Sequence, residues 1–197
     1  MNETVDQMPT LAPAVARAVE QAAEVLRSGG VVGYPTEAVY GLGCDPMREA
    51  SVQRTLDLKG RARAQGVILI AADFKQIESF IDVDTATAER LRASWPGPVT
   101  WVAPARPEVP EWIRGEHTGV AVRVTDHPPS AALCRAFGGA LVSTSANRSG
   151  EPPARSAAEV AAAFGDGVDF IVDAPLGGRE RPSAIRDAAT GRVLRPA

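Results

Sequence analysis

Lys59 and Arg61 are two cations one residue apart, with Gly60 between them, closing a helical pattern that carries Val52 and Leu56. Most lysines and arginines only solvate a surface. One contrast argues for more: of 21 basic residues, Lys59 and Lys75 alone are lysine. A chain that otherwise uses arginine has placed a compact ammonium beside a planar guanidinium, a combination suited to gripping one phosphate chain. A second cluster lies far downstream, at Leu141-Val-Ser-Thr-Ser-Ala-Asn-Arg-Ser-Gly150. There an apolar strand start gives way to three hydroxyls and an amide, concentrating short donors and acceptors at a strand end. Arg123 interrupts the alternating stretch Val120-Ala-Val-Arg-Val-Thr125. A partly buried guanidinium needs a carboxylate or a phosphate, since an unpaired buried charge costs several kcal/mol, and Asp126 or another protein carboxylate fits as well as a ligand does.

The elements that must position these groups alternate along the chain. Thr10 is expected to cap a helix with the apolar stripe Leu11, Val15, Val19, Ala22 and Leu26, ended by Gly29. Val31 to Tyr34 reads as a buried strand that Pro35 must end, leaving Thr36 at the strand exit. Gly41 and Gly43 allow a sharp turn or a close backbone approach to a ligand. A helix over residues 48–58, a fully apolar strand over 66–71 and helix caps at Asp73 or Asp84 follow. The Trp95-Pro-Gly-Pro98 segment cannot remain helical, and a strand resumes over 99–102. Residues 104–118 read as a surface excursion with Trp112 pinned beneath it, and the three tryptophans read as buried packing groups. A helix over 128–137 leads into a strand ending at Ser143, and Ser156 with Glu159 forms a capping box for a helix to Phe164. A strand over 168–172, a charged loop over 177–181 and a closing hairpin of residues 183–186 and 193–195 complete the chain. Strands and helices alternate throughout, so the expected fold class is α/β, with residues 1–197 forming one domain.

Composition sets bounds on partners. A length of 197 residues supports a core without disulfide staples, and 45% apolar with 23% charged residues is ordinary for a globular chain. A net charge of -3 gives no global attraction to nucleic acid or anionic membrane, so a polyanion must be held by a local basic cluster. Cys44 and Cys134 fit no metal or redox spacing and read as free buried thiols in a reducing compartment. The start MNETVDQMPT has neither the basic nor the apolar region of a secretory signal, no apolar run approaches about 18 residues, and the expected location is the cytoplasm. There is no Walker loop, no complete dinucleotide fingerprint and no G-x-S-x-G elbow. His117 and His127 belong to no zinc-binding spacing, so no protein-held metal is expected.

PTEAVYGLG, Lys59-x-Arg61, AVRVTDHP and STSAN-x-SG, in this order across residues 25–196, resemble the YrdC-like family of threonylcarbamoyl-AMP synthases, also called TsaC. The resemblance implies a twisted mixed sheet flanked by helices and enclosing a basic cavity. It also implies a nucleotidyltransferase reaction that joins L-threonine, bicarbonate or carbon dioxide, and ATP into threonylcarbamoyl-AMP with release of pyrophosphate. ATP would arrive with Mg2+. A separate transferase complex would then pass the group to tRNA, and this protein would touch RNA weakly at most. By the same resemblance, Lys59 and Arg61 are the catalytic pair that holds the ATP phosphates, helped by Ser145, Asn147 and Arg195. Thr36, Arg123, Ser143 and Ser183 match threonine-binding positions, with Arg123 opposite the carboxylate.

This sequence departs from the family pattern in three places. Ala62 stands where proline often follows the arginine, Ile70 where longer members have a histidine, and the chain matches the short, single-domain branch. Replacing either Lys59 or Arg61 by alanine is expected to abolish activity and leave folding intact. A competing reading is an RNA-binding or ribosome-maturation factor using the same cavity, although a basic tail and an aromatic-interleaved basic stripe are missing.

Overall fold

The computed structural model describes residues 10–197, so the expected reading of MNETVDQMP lies outside the described residues. Nine strands form one mixed sheet: β1 (Val32–Pro35), β2 (Tyr40–Gly43), β3 (Ile68–Ala71), β4 (Val99–Pro104), β5 (Gly119–Val124), β6 (Leu141–Ser145), β7 (Phe170–Ile171), β8 (Ala184–Asp187) and β9 (Val193–Arg195). Their order across the sheet is β7-β1-β2-β6-β3-β5-β4-β8-β9. The helices are α1 (Pro13–Ser28), α2 (Glu49–Lys59), α3 (Thr85–Ala93), α4 (Glu111–Arg114), α5 (Pro128–Phe137) and α6 (Ala157–Phe164). No described helix is long and apolar enough to cross a membrane.

Strand periodicity places a core on each face of the sheet. Leu69, Ala71 and Val142 join the cluster that holds Val52 and Leu56 of α2 and Val160 of α6. Their chain neighbours Ile70, Ala72 and Leu141 join the other cluster, with Leu26 of α1 and Leu133 of α5. Ile70 is fully buried there, so its place is taken by packing. The three tryptophans are core or core-packed, Trp101 being buried and Trp95 and Trp112 partly so.

Several local expectations are corrected. Thr10 does not cap α1; Ala12 occupies that position without a side-chain cap, and Pro13 at the first turn supplies the preset φ instead. The sharp turn is at residues 36–39, not at the glycines, where Thr36 donates to the Val39 carbonyl through its amide (3.0 Å) and its hydroxyl (2.6 Å). Gly41 and Gly43 lie inside β2. A methyl group at position 43 would sit 2.7 Å from the Tyr34 ring, so that glycine makes room for an aromatic side chain. Residues 104–118 contain the short helix α4, and β6 runs two residues past Ser143. Asp73 and Asp84 both act as caps. Ser156 accepts from the Glu159 amide at 3.2 Å as expected, but Glu159 reaches back to the Arg155 amide at 2.6 Å, one residue earlier than a capping box requires.

Candidate active site

A cavity of about 520 Å³ opens between the turn at residues 36–39, the ends of β2 and β6, the segment after α2, and the β8–β9 hairpin with the loop before it. Arg61, Arg114, Arg123, Arg179, Arg181 and Arg195 line it, against Glu37 as the lining carboxylate. The protein's net charge is -3, so this concentration of cations is a local arrangement able to hold anions.

The end of α2 separates the two cations that opened the sequence analysis. Gly60 takes the left-handed conformation (φ 59°), which reverses the chain after Lys59 and carries Arg61 toward the cavity. Lys59 does not line the cavity. It is only 3% exposed, and its ammonium donates to the carbonyl of Ser145, to the carbonyl of Asn147 (2.7 Å) and to Asn147 Oδ1 (3.4 Å). Burial, and then the charge of Arg61, push the ammonium down to about 8. Lys59 therefore ties α2 to the turn after β6.

That turn is built before any ligand arrives. Ser145 Oγ donates to Asn147 Oδ1 at 2.6 Å, and Asn147 Nδ2 donates to the carbonyls of Arg148 (2.8 Å) and Glu151 (2.9 Å). Ser145 and Asn147 line the cavity, as do Ser143 from the middle of β6 and Thr36 from the hairpin turn. On the far wall, Ser183 Oγ lies 3.0 Å from Thr100 Oγ1, and Arg195 donates to the Ser183 carbonyl at 2.9 Å.

The guanidiniums are incompletely satisfied. Arg61 donates to the Gly66 carbonyl at 3.1 Å, while its Nε is buried without a partner. Burial, followed by repulsion from Arg195, lowers the proton affinity of Arg61, and burial followed by Arg123 does the same to Arg195. Arg123 Nη2 lies 3.2 Å from Glu37 Oε2, yet Arg123 Nε and Glu37 Oε2 lack hydrogen bonds. Among the described residues, the buried side-chain atoms without partners belong to Glu37, Arg61 and Arg123, which all line this cavity. Buried orphans of this kind are costly and are normally satisfied, so their clustering singles out this cavity as a candidate ligand site.

Of the residues expected from the sequence, all but Lys59 line this cavity: Thr36, Arg61, Arg123, Ser143, Ser145, Asn147, Ser183 and Arg195. Sequence reasoning missed Glu37, Arg114, Arg179 and Arg181. Asp126, the nearest candidate partner for Arg123, instead meets Arg179 at 3.4 Å. The available signal was the carboxylate in PTEAVYGLG, a lone charge in an otherwise uncharged strand and turn. Cys44 and Cys134 are free and buried, which pushes both thiols up to about 12 and leaves them unreactive at neutral pH.

The model of the Sua5/yciO/yrdC family, described as telomere recombination, matches residues 24–197. The chain belongs to this family. Among curated members, it is 53% identical over 178 residues to the threonylcarbamoyl-AMP synthase of Nitrosococcus oceani, covering 90% of this chain and 96% of that protein. It is 56% identical over 178 residues to the one from Halorhodospira halophila, with 90% and 93% covered. The crystal structure of P. abyssi Sua5 complexed with L-threonine superposes with a TM-score of 0.86 at 34% identity, covering 92% of this chain and 54% of that one. This family member thus spans just over half of the P. abyssi protein. E. coli YciO gives a TM-score of 0.80 at 26% identity, with 91% and 89% covered.

Proposed function

We propose that this member of the Sua5/YciO/YrdC family is a threonylcarbamoyl-AMP synthase, joining L-threonine, bicarbonate or carbon dioxide, and ATP, and releasing pyrophosphate. The observation that carries the proposal is the cavity itself, in which six arginines face one carboxylate and partnerless buried donors converge. The names of the curated relatives support the synthase over the RNA-binding reading.

In this reading Arg61 and Arg195 receive the ATP phosphates, while Ser145 and Asn147 present hydroxyl and amide groups to nucleotide oxygens. Arg123 receives the threonine carboxylate, and Thr36, Ser143 and Ser183 surround the rest of the amino acid. Lys59 acts from beneath by fixing the turn that carries Ser145 and Asn147. The threonine amine attacks the one-carbon unit, with loss of water from bicarbonate or of a proton to solvent on addition to carbon dioxide, and an oxygen of the resulting carbamate attacks the α-phosphate as pyrophosphate leaves. The protein contributes by holding three anions in register and neutralising the charge that grows on the phosphate oxygens. Donors already fixed in a buried cavity need little reorganisation as that charge develops.

Magnesium enters as part of the ATP substrate. Among the described residues, no cluster of three or more His, Cys, Asp or Glu could hold a metal, and Glu37 is committed to Arg123 and Thr125. Both core layers share one sheet, which supports reading residues 1–197 as a single domain. The product is a reactive mixed anhydride, so a transferase acting on tRNA must take it up quickly, and this protein needs only weak contact with RNA. Two free buried thiols fit a cytoplasmic setting.

The test is pyrophosphate release from ATP. Release that requires both threonine and bicarbonate supports the proposal; tight duplex-RNA binding without ATP turnover overturns it in favour of the RNA-binding reading.

A further inference from the structure

Glu37 is 3% exposed and lies where the hairpin turn meets the end of β5. Its two carboxylate oxygens have different surroundings. Oε1 accepts from Thr125 Oγ1 at 2.7 Å, and that same hydroxyl accepts from the His127 amide at 3.2 Å. The Thr125 amide donates to the Ala71 carbonyl at 3.0 Å, so the hydroxyl is anchored to the sheet. With Oε1 fixed, Oε2 faces Arg123 Nη2 at 3.2 Å. Burial alone would raise the Glu37 carboxyl; Arg123 and the Thr125 hydroxyl outweigh it and hold the carboxyl below its usual range.

A carboxylate whose sole purpose is to neutralise a buried arginine gains most from the two-bond fork that the groups form readily. Arg54 and Asp169 make that fork elsewhere in the protein, at 2.7 and 3.0 Å. Glu37 and Arg123 do not. Their approach through one nitrogen leaves Arg123 Nε buried without a partner, on a guanidinium that lines the cavity.

We propose that Glu37, held by Thr125, is a positioning residue that turns Arg123 so that its unspent N–H donors meet the carboxylate of the amino-acid substrate. The inference rests on the synthase reading and deepens it, since the Glu37–Thr125 contact sets the geometry with which threonine is received. Glu37 stays a carboxylate throughout and exchanges no proton in the reaction.

The experiment compares pyrophosphate release by the wild type and Glu37→Gln, varying threonine and ATP separately and checking the fold by thermal melting. The amide keeps the size and can still accept from Thr125, but it loses the charge that steers Arg123. The threonine KM rises about tenfold to a hundredfold, while the ATP KM changes by less than about twofold. A folded Glu37→Gln protein with an unchanged threonine KM, or with both KM values raised alike, overturns the inference and leaves the synthase reading standing. A wild type that releases no pyrophosphate with threonine overturns the synthase reading and this inference with it. Should Glu37→Gln fail to fold, Thr125→Val, which keeps both charges and frees Oε1, carries the test. A threonine KM raised by about threefold or more supports the inference, and an unchanged one overturns it.

Discussion

Between α2 and the start of β7, Arg54 meets Asp169 through two bonds of 2.7 and 3.0 Å and also donates to the Gly167 carbonyl at 2.9 Å. Asp169 in turn accepts from the Val31 amide at 2.7 Å. In the cavity, Arg123 and Glu37 approach at 3.2 Å with polar atoms left over on both. The same two chemical groups thus appear once saturated and once unsaturated. The saturated pair is a clasp that joins elements, and its partly exposed side chains limit its worth. The unsaturated pair is much more buried, and its unmade bonds are a cost that the fold carries at the cavity.

Substitutions can break this contrast in order of effect. Arg61→Ala removes a cavity donor that the protein itself hardly uses: pyrophosphate release falls by about 10²–10³-fold, while the melting temperature holds or rises. Lys59→Met behaves differently, because it strands the carbonyls of Ser145 and Asn147. Its urea midpoint corresponds to a loss of about 2–4 kcal/mol, with activity lost alongside. The expectation that both alanine variants leave folding intact is thereby revised for Lys59.

Asp169→Asn touches only the clasp. Chemical denaturation registers a loss of about 0.5–1 kcal/mol, and the kinetics stay at wild-type values. The Arg54 hydrogen bonds, opposed by burial and helped by the Val31 amide, hold the Asp169 carboxyl below its usual range. Its contribution to stability is therefore full above the unfolded value of about 3.9 and disappears as the pH falls from there through the folded value. Asp169→Asn loses that part of the acid dependence. The smallest effect sharpens the cavity side: Ala62 already has φ -65°, the value of proline, and its amide makes no backbone bond among the described residues. Ala62→Pro raises stability by about 0.4–1 kcal/mol in urea unfolding and leaves the loop carrying Arg61 in place.

Much of the fold was legible because periodicity and punctuation act locally. Residues 128–137 and the hairpin of β8 and β9 follow from an apolar pattern bounded by Pro128, Gly138 and Gly191. The start of α1 was misplaced because Thr10 offers a capping hydroxyl, whereas Pro13 presets the backbone without any side-chain bond. In the cavity, Arg61, Ser145 and Asn147 stood out as polar groups at element ends. Glu37 did not, because its partners Thr125 and Arg123 lie 88 and 86 residues away and β5 must first be folded beside β3 to bring them near. Lys59 sits apart from the other expected residues for the complementary reason. A two-position offset from Arg61 across a left-handed glycine turns one cation inward to carbonyls and the other toward the cavity.

A crystal structure of the protein with threonine and a non-hydrolysable ATP analogue tests the central claim most directly. The account predicts a carboxylate or phosphate oxygen within about 3.2 Å of a guanidinium nitrogen of Arg123 and of one of Arg61. Ligands seated elsewhere, with no anionic oxygen in reach of either guanidinium, would contradict it.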